Sequence, residues 1–262
     1  MTISSATREV VPLPSPAELA VADLLPVGAP DLAAVRARDA VPIWFHTFQL
    51  APGLYTPGIA RDHRYRIPAL APERFRGKRV LDIGAFDGFY SFLAEAHGAA
   101  RVVAVDNEQY VDWVQGRFGV DLEPAAGFDA VHELLDSGVE YRRLDAFDVA
   151  GLGETFDVVL CFGMLHRVID PVGMLSALAA VLAPGGEIVL ETYGARLDDG
   201  APVLEVHEPG DVYPGDDYVF WGFPAEGLRR IAAIVGLGDV ELVDRTEIDG
   251  HPRIIAVLRA GA

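Results

Sequence analysis

Cysteine is almost absent. The 262 residues carry a single one, Cys161, which excludes an internal disulfide and any cysteine-based metal cluster. It sits in an apolar, β-branched run, where it reads as a small inert hydrophobe of a buried strand. Long apolar runs are missing as well. A hydrophobic content of 51% and a mean hydropathy of +0.24 suit a globular core, yet no stretch approaches the length of a bilayer span, so no membrane is expected. Positive charge is scarce, with 21 Lys+Arg against 39 Asp+Glu, a net charge of -18 and a pI near 4.6. Such a surface repels a phosphate backbone unless a basic patch overrides it, so nucleic acid is a disfavoured partner and a cationic ligand a mildly favoured one. The stretch Met1–Glu9 has no basic segment followed by an apolar core, which leads us to expect a cytoplasmic protein. Internal repeats and low-complexity tracts are not found. The length suits one large α/β domain with additions better than two equal domains.

What the chain does have is a glycine loop. Val80-Leu81-Asp82-Ile83 is a β-branched run, the chain turns through Gly84-Ala85-Phe86-Asp87-Gly88, and Tyr90-Ser91-Phe92-Leu93-Ala94-Glu95-Ala96 follows with helical spacing. Strand, glycine loop and helix make a cradle. Gly84 can take backbone angles closed to other residues, Gly88 is expected to let a ligand approach the main chain, and the helix start offers N–H groups to a carboxylate or phosphate. About twenty residues on, Arg101–Asp106 reads as the next strand, ending in the acid expected to hold a ribose hydroxyl pair. A glycine loop alone also fits a structural turn, but the second strand and its acid stand where a βαβ unit needs them. The dinucleotide fingerprint fails, because G-x-G-x-x-G counted from Gly84 needs glycines where the chain has Phe86 and Phe89.

The remaining order is alternating. Ala17–Leu25 and Asp31–Ala40 read as short helices ahead of the cradle, the second capped by Asp31. Ile43–Leu50 interleaves aromatics with His46 between turn signals, a pattern that suits a segment folded over a ligand or one that plugs a core gap. Arg61-Asp62-His63-Arg64-Tyr65-Arg66 is the one local basic cluster and reads as a solvated face. Helices are expected over Gln109–Gly116 and Ala125–Leu135, linked through Pro124 and Gly127. Val139–Leu144 is a strand with Asp145-Ala146-Phe147 at its end, an acid and apolar faces suited to an adenine ring. Phe156–Cys161 is a strand that runs into Phe162-Gly163-Met164-Leu165-His166-Arg167. A helix over Pro171–Leu182, the turn Ala183-Pro184-Gly185-Gly186 and a strand over Glu187–Thr192 complete a crossover. Tyr193–Asp217 is a long loop of the kind that is functional or mobile. A helix over Pro224–Gly236 and a hairpin of Asp239–Arg245 with Arg253–Leu258, turning at Asp249-Gly250, close the chain.

The pattern Val-Leu-Asp-Ile-Gly-Ala-Phe-Asp-Gly-Phe-Tyr resembles the first motif of class I S-adenosylmethionine-dependent methyltransferases, whose loop holds a methionine moiety and no phosphate. The acid Asp106, the Asp145-Ala146 pair, the Phe156–Val159 strand, the Pro-Gly-Gly turn and the closing hairpin follow in that family's order, from about Phe75 to the C-terminus. The resemblance implies an α/β, Rossmann-like class I methyltransferase sheet, mostly parallel with the last strand antiparallel. An α-helical N-terminal extension and lid over residues 1–74 would precede a cofactor-binding domain over 75–262. Within the family, Gly163–Pro171, Leu190-Glu191-Thr192 and Phe223–Leu228 look like the branch of the tRNA wobble-uridine carboxymethyltransferase. That enzyme has a tyrosine and a histidine where this chain has His166 and Arg167. The tyrosine helps grip a carboxylated cofactor there, so its absence argues for plain S-adenosylmethionine.

The resemblance assigns cofactor binding to Asp82, Gly84, Ala85, Gly88, Asp106, Asn107, Asp145, Ala146, Phe147, Phe162 and Gly163. Asp106 is expected on the ribose, Asp145 on the adenine amine, Asp82 with Gly84 on the methionine end, and Phe162 with Gly163 flanking the cofactor. His166, at a strand end with a side chain that titrates near neutrality, is the expected base, and His46 is the second candidate. Glu205, His207 and Glu208 read as a solvated loop, so no metal is assigned. The expected activity is methylation of a small-molecule acceptor on O or N. A tRNA wobble-uridine-modifying enzyme and a cofactor-binding protein with a non-methylating role stay open beside it.

Overall fold

A computed structural model describes residues 31–47, 49–60, 64–196 and 200–261. The expected helix over Ala17–Leu25, the polar stretch before it and Arg61-Asp62-His63 lie outside the described residues.

Helix α1 spans Asp31–Ala40, the range its spacing predicts. The aromatic segment after it forms four short strands, β1 (Trp44–His46), β2 (Gln49–Ala51), β3 (Leu54–Tyr55) and β4 (Gly58–Ala60). β1 pairs parallel with β4, and β2 antiparallel with β3. Gly58 permits the first pairing, since a Cβ there would lie 2.3 Å from the His46 carbonyl carbon. Strands of two or three residues show no periodicity, which is why the sequence pattern does not reveal them.

A 3-10 turn over Arg64–Ala69 and the short α2 (Pro72–Phe75) lead into the alternating part. There β5 (Arg79–Ile83), α3 (Phe89–Ala96), β6 (Arg101–Asp106), α4 (Tyr110–Phe118), α5 (Ala126–Leu135) and β7 (Glu140–Arg143) follow one another. Next come β8 (Phe156–Phe162), α6 (Pro171–Ala180) and β9 (Leu182–Tyr193). Two short strands, β10 (Glu205–Val206) and β11 (Trp221–Gly222), pair across the long loop. Helix α7 (Ala225–Ile234) and the strands β12 (Asp239–Ile248) and β13 (His251–Arg259) end the chain.

The main sheet has seven strands in the order β12-β13-β9-β8-β5-β6-β7. Every strand but β13 runs in one direction, as the hairpin requires. Asp249 and Gly250 both take positive φ, 52° and 79°, the geometry of a two-residue turn that matches strand twist. Burial on both faces explains the near-continuous apolar runs of the central strands. Val80, Val102, Ala104, Val158 and Leu160 pack towards Phe89, Phe92, Val114 and Phe128 of α3, α4 and α5. Their alternate neighbours Leu81, Val103, Val159 and Cys161 pack towards Met174, Leu175, Leu228 and Ile231 of α6 and α7.

Two expected connections differ. Gly127 lies inside α5, not in a linker; its missing side chain admits the N-terminal segment, for a Cβ would lie 2.9 Å from the Asp87 Cβ and 3.5 Å from the Trp44 ring. The Pro-Gly-Gly stop is absorbed into β9, whose pairing with β8 jumps from Phe156↔Leu182 to Val158↔Glu187. Gly185 there has φ +76°, so the interruption is real while the strand starts earlier than its pattern indicates.

Candidate active site

The carboxyl ends of β5, β6 and β8 open into a cavity of about 580 Å³. This is where ligands of open α/β sheets bind. The β5 end contributes Asp82, Ile83 and Gly84 to the wall. Asp82 is 2% exposed; its Oδ2 accepts the Ser91 hydroxyl at 2.6 Å, which ties the strand end to the start of α3. Burial, reinforced by the nearby Asp106 and Asp87 charges, pushes its pKa up to about 7. Gly84 has φ +71°, and a Cβ on it would lie 2.5 Å from the Met164 sulfur.

Asp106 ends β6 with its two oxygens divided. Oδ2 accepts the Phe86 N–H at 3.0 Å and Oδ1 the Glu108 N–H at 2.8 Å. Burial raises its pKa to about 6. Each oxygen keeps a lone pair for a further donor. Asn107 donates from Nδ2 to Asp145 Oδ2 at 2.8 Å, while Asp145 Oδ1 accepts the Phe147 N–H at 3.0 Å. Ala146, Phe147, Phe162 and Gly163 also line the cavity. Ala85 and Gly88 do not. Ala85 is a buried member of the core, and Gly88 faces inward, where a Cβ would lie 2.6 Å from Phe128 and 2.7 Å from Phe92. Gly88 is therefore required by the turn into α3 at φ 79° and by packing, not by a ligand.

The two histidines divide sharply. His166 is fully buried. Its Nδ1 accepts the Tyr193 N–H at 3.2 Å, so a neutral ring carries its proton on Nε2, which has no partner among the described residues. Burial, with Arg167, Arg253 and Arg66 nearby, holds its pKa well below the usual value. Such a ring carries a proton it can donate and is a poor base, which argues against the expected role as base. His46 is set differently. Its Nδ1 meets Asp87 Oδ1, and Asp87 Oδ2 accepts the N–H groups of Phe45 and His46 at 2.9 and 2.8 Å. With Nδ1–H given to the carboxylate, the neutral ring has its lone pair on Nε2. The ring stacks on Phe89 at 5.6 Å and lines the cavity.

Sequence reasoning missed Asp87, although an acid between the loop glycines is a visible signal. It also missed Phe86, whose ring lies 4.0 Å from Tyr110 and 5.0 Å from Phe45. Arg66 lies in the basic cluster read as a solvated face, yet it is 7% exposed and lines the cavity. Its Nη2 donates to Glu191 Oε2 at 2.8 Å and its Nη1 to the Tyr90 hydroxyl at 2.7 Å. Arg253, at the far end of the chain, donates to Glu191 Oε1 at 3.2 Å, a contact with no local signature. The long loop lies against the same region. Asp216 takes both hydrogen bonds of Arg167 Nη1 at 3.0 and 2.9 Å, and the Phe220 N–H donates to the His166 carbonyl at 2.9 Å. Among the described residues, no group of three or more metal-ligating side chains could hold an ion, and no helix is long and apolar enough to cross a membrane.

The seven-stranded sheet with its one reversed strand is the fold of the Rossmann-like class I methyltransferases. A family model described as a methyltransferase domain matches residues 59–242, and the chain belongs to that family. Among curated proteins it is 33% identical over 124 residues to the tRNA U34 carboxymethyltransferase of Campylobacter hominis, covering 47% of this chain and 39% of the relative. It is 32% identical over 133 residues to the ubiquinone biosynthesis O-methyltransferase of Parvibaculum lavamentivorans, covering 51% and 47%. The chain thus spans about half the length of the curated relatives it matches. Among solved structures, the N-terminal domain of EvdMO1, determined with S-adenosylhomocysteine and D-fucose, aligns with TM-score 0.64 and 23% identity over 87% of this chain and 95% of that one. The Burkholderia thailandensis 1,6-didemethyltoxoflavin-N1-methyltransferase aligns with TM-score 0.57 and 17% identity over 96% and 92%. At those identities the likeness concerns the fold.

The residues present fit the family's cofactor. The spare lone pairs of Asp106 suit a diol, Ala146, Phe147 and Phe162 offer apolar faces to an adenine ring, and buried acids on the β5 and β6 ends suit a cationic sulfonium.

Proposed function

We propose that this protein methylates an oxygen or nitrogen of a small-molecule acceptor, with His46, oriented by Asp87, as the group that takes the acceptor's proton. The observation that carries the reading is the His46–Asp87 pair on the wall of the cavity lined by Asp82 and Asp106. Bound S-adenosylmethionine supplies an electrophilic methyl group on a sulfonium. Asp106 is assigned to the ribose hydroxyls, Asp145 with Asn107 to the adenine edge, Asp82 and Gly84 to the methionine end, and Phe162 and Gly163 to the flank. In-line displacement needs alignment and exclusion of water more than it needs acid or base, and a base only when the acceptor must lose a proton. Phe45, Trp113 and Phe220 supply the apolar cover. On this reading the described residues between 31 and 74 act as a lid, joined to the glycine loop where Phe45 and His46 meet Asp87. His166 shapes the wall and donates from Nε2.

A small acceptor is supported by the cavity of about 580 Å³, within the range of about 300–1,000 Å³ for small-molecule sites. A tRNA acceptor is the second reading, favoured by the names of relatives such as the Campylobacter hominis enzyme and opposed by the net charge of -18. The test is transfer of a labelled methyl group to a panel of hydroxylated and amino acceptors and to unmodified tRNA, run beside a calorimetric titration with S-adenosylhomocysteine. A mass shift on a small acceptor, abolished in His46→Ala with cofactor affinity retained, is expected. Binding without transfer to any acceptor would leave the non-methylating role, and methylated tRNA would replace the small acceptor.

A further inference from the structure

The cavity is charged in opposite senses at its two sides. Asp82, Asp106 and Asp145 come from the β5, β6 and β7 ends, while Arg66, Arg167, Arg253 and His166 line the cavity from the other elements together with one acid, Asp170, whose Oδ1 caps α6 by accepting the Gly173 N–H at 2.7 Å. Arg167 is neutralised by Asp216, which is 3% exposed and accepts from it through both oxygens. Arg66 and Arg253 share one acid. Glu191 is fully buried, gives Oε2 to Arg66 and Oε1 to Arg253, and does not itself reach the cavity wall. Among the described residues, two guanidinium groups against one carboxylate leave an excess positive charge.

The hydroxyl groups beside this cluster do not supply the missing negative charge. Tyr90 accepts from Arg66 and Tyr213 from Arg253. Burial pushes the Tyr65 phenol up to about 12 and raises Tyr90 and Tyr213 as well, so all three are neutral. Three buried donors on this wall also lack an acceptor among the described residues, namely Arg66 Nε, Arg253 Nε and His166 Nε2. A desolvated cation without its full counter-charge is costly, as is a buried donor left unpaired. The cluster is open to the cavity at Gly163, where a Cβ would lie 3.9 Å from Glu191 Oε2 and 4.0 Å from Arg66 Nη2.

Deepening the reading of a small-molecule methyltransferase, on which it rests, we propose that the acceptor is an organic acid whose carboxylate is held at the Arg66–Arg253 wall. The acceptor's carboxylate completes the charge balance of the Arg66–Glu191–Arg253 cluster. Its hydroxyl or amine is then left to face the acidic side, where the sulfonium is neutralised. Planar anions match guanidinium donors, which is why arginine and not lysine suits such a wall.

The test uses the full chain saturated with S-adenosylhomocysteine and titrated with benzoate, 4-hydroxybenzoate and 4-hydroxycinnamate, each beside its primary amide. The acids are expected to bind at least about tenfold more tightly than the amides, as a charge-assisted pair implies. Arg253→Gln should erase that preference while leaving the affinity for S-adenosylhomocysteine unchanged, and Arg253→Lys should restore part of it. If Arg253→Gln does not fold, the acid-to-amide ratio of the wild type decides alone. Equal binding of acids and amides, binding of neither, or acids that displace S-adenosylhomocysteine would overturn the inference and leave the methyltransferase reading standing. Failure of S-adenosylhomocysteine itself to bind would remove both.

Discussion

Replacing Asp87 by Asn is the sharpest test of how the site handles a proton. The carboxylate makes three contacts. Oδ2 accepts the backbone N–H groups of Phe45 and His46, and Oδ1 accepts from His46 Nδ1. An amide at this position must keep its oxygen on the two backbone donors, because the opposite orientation would set an NH2 group against both of them. The NH2 group then faces Nδ1 and donates to it, which moves the imidazole proton to Nε2. The ring loses its basic site while staying in place. Loss of the charge on a side chain 1% exposed costs about 1.5–3 kcal/mol of stability, the usual worth of a hydrogen bond to an ionised group. Turnover should fall about 100- to 10,000-fold, the contribution of a positioned base. Affinity for S-adenosylhomocysteine should hold, since Asp87 is not on the cavity wall. Imidazole proton–nitrogen correlation spectra of histidine-labelled protein read the tautomer directly and need no acceptor. An unchanged tautomer in the variant, or full turnover with a changed one, refutes the assignment of His46 as base.

Four further outcomes are expected. Gly84→Ala places a Cβ 2.5 Å from the Met164 sulfur at φ +71°, so it should cost about 1–2 kcal/mol from backbone strain alone and weaken S-adenosylhomocysteine binding. Met164→Ala in the same chain should relieve the clash but not the strain, as read by melting and calorimetry. Burial raises Asp82 from 3.8 to about 7 and Asp106 from 3.8 to about 6. Across that window the folded chain holds more protons than the unfolded one, and stability contributed by these groups falls as pH rises from about 4 to 7. Asp82→Asn should flatten the upper part of that slope in denaturant titrations. S-adenosylhomocysteine should bind more tightly as pH rises through about 6 and Asp106 ionises, a dependence absent in Asp106→Asn. Arg167→Ala strands the buried Asp216 carboxylate and should cost about 2–4 kcal/mol. Faster proteolysis of the 208–218 loop should accompany it, and Asp216→Ala in the same chain should recover most of the loss.

The alternating order, the parallel sheet with its single reversed strand and the acids at the strand ends are legible in the sequence because each follows from a local pattern. Glycines at a strand end, β-branched runs between helices and an Asp-Gly turn determine their own backbone whatever surrounds them. Part of the cavity wall is legible to the same depth, in Asp82, Gly84, Asp106 and Asp145. What needed tertiary structure is every feature made by residues distant in the chain. Gly88 and Ala85 belong to the same loop as Gly84, and only the packing of Phe92 and Phe128 shows that they face the core. His166 and His46 have the same intrinsic chemistry; a backbone donor on one Nδ1 and a carboxylate on the other, supplied from 27 and 41 residues away, give the two rings opposite Nδ1 roles, acceptor in His166 and donor in His46. The Arg66–Glu191–Arg253 cluster draws on three separate segments. A side chain's protonation and hydrogen-bonding role depend on what lies within a few ångströms of it, and those neighbours are chosen by the fold as a whole.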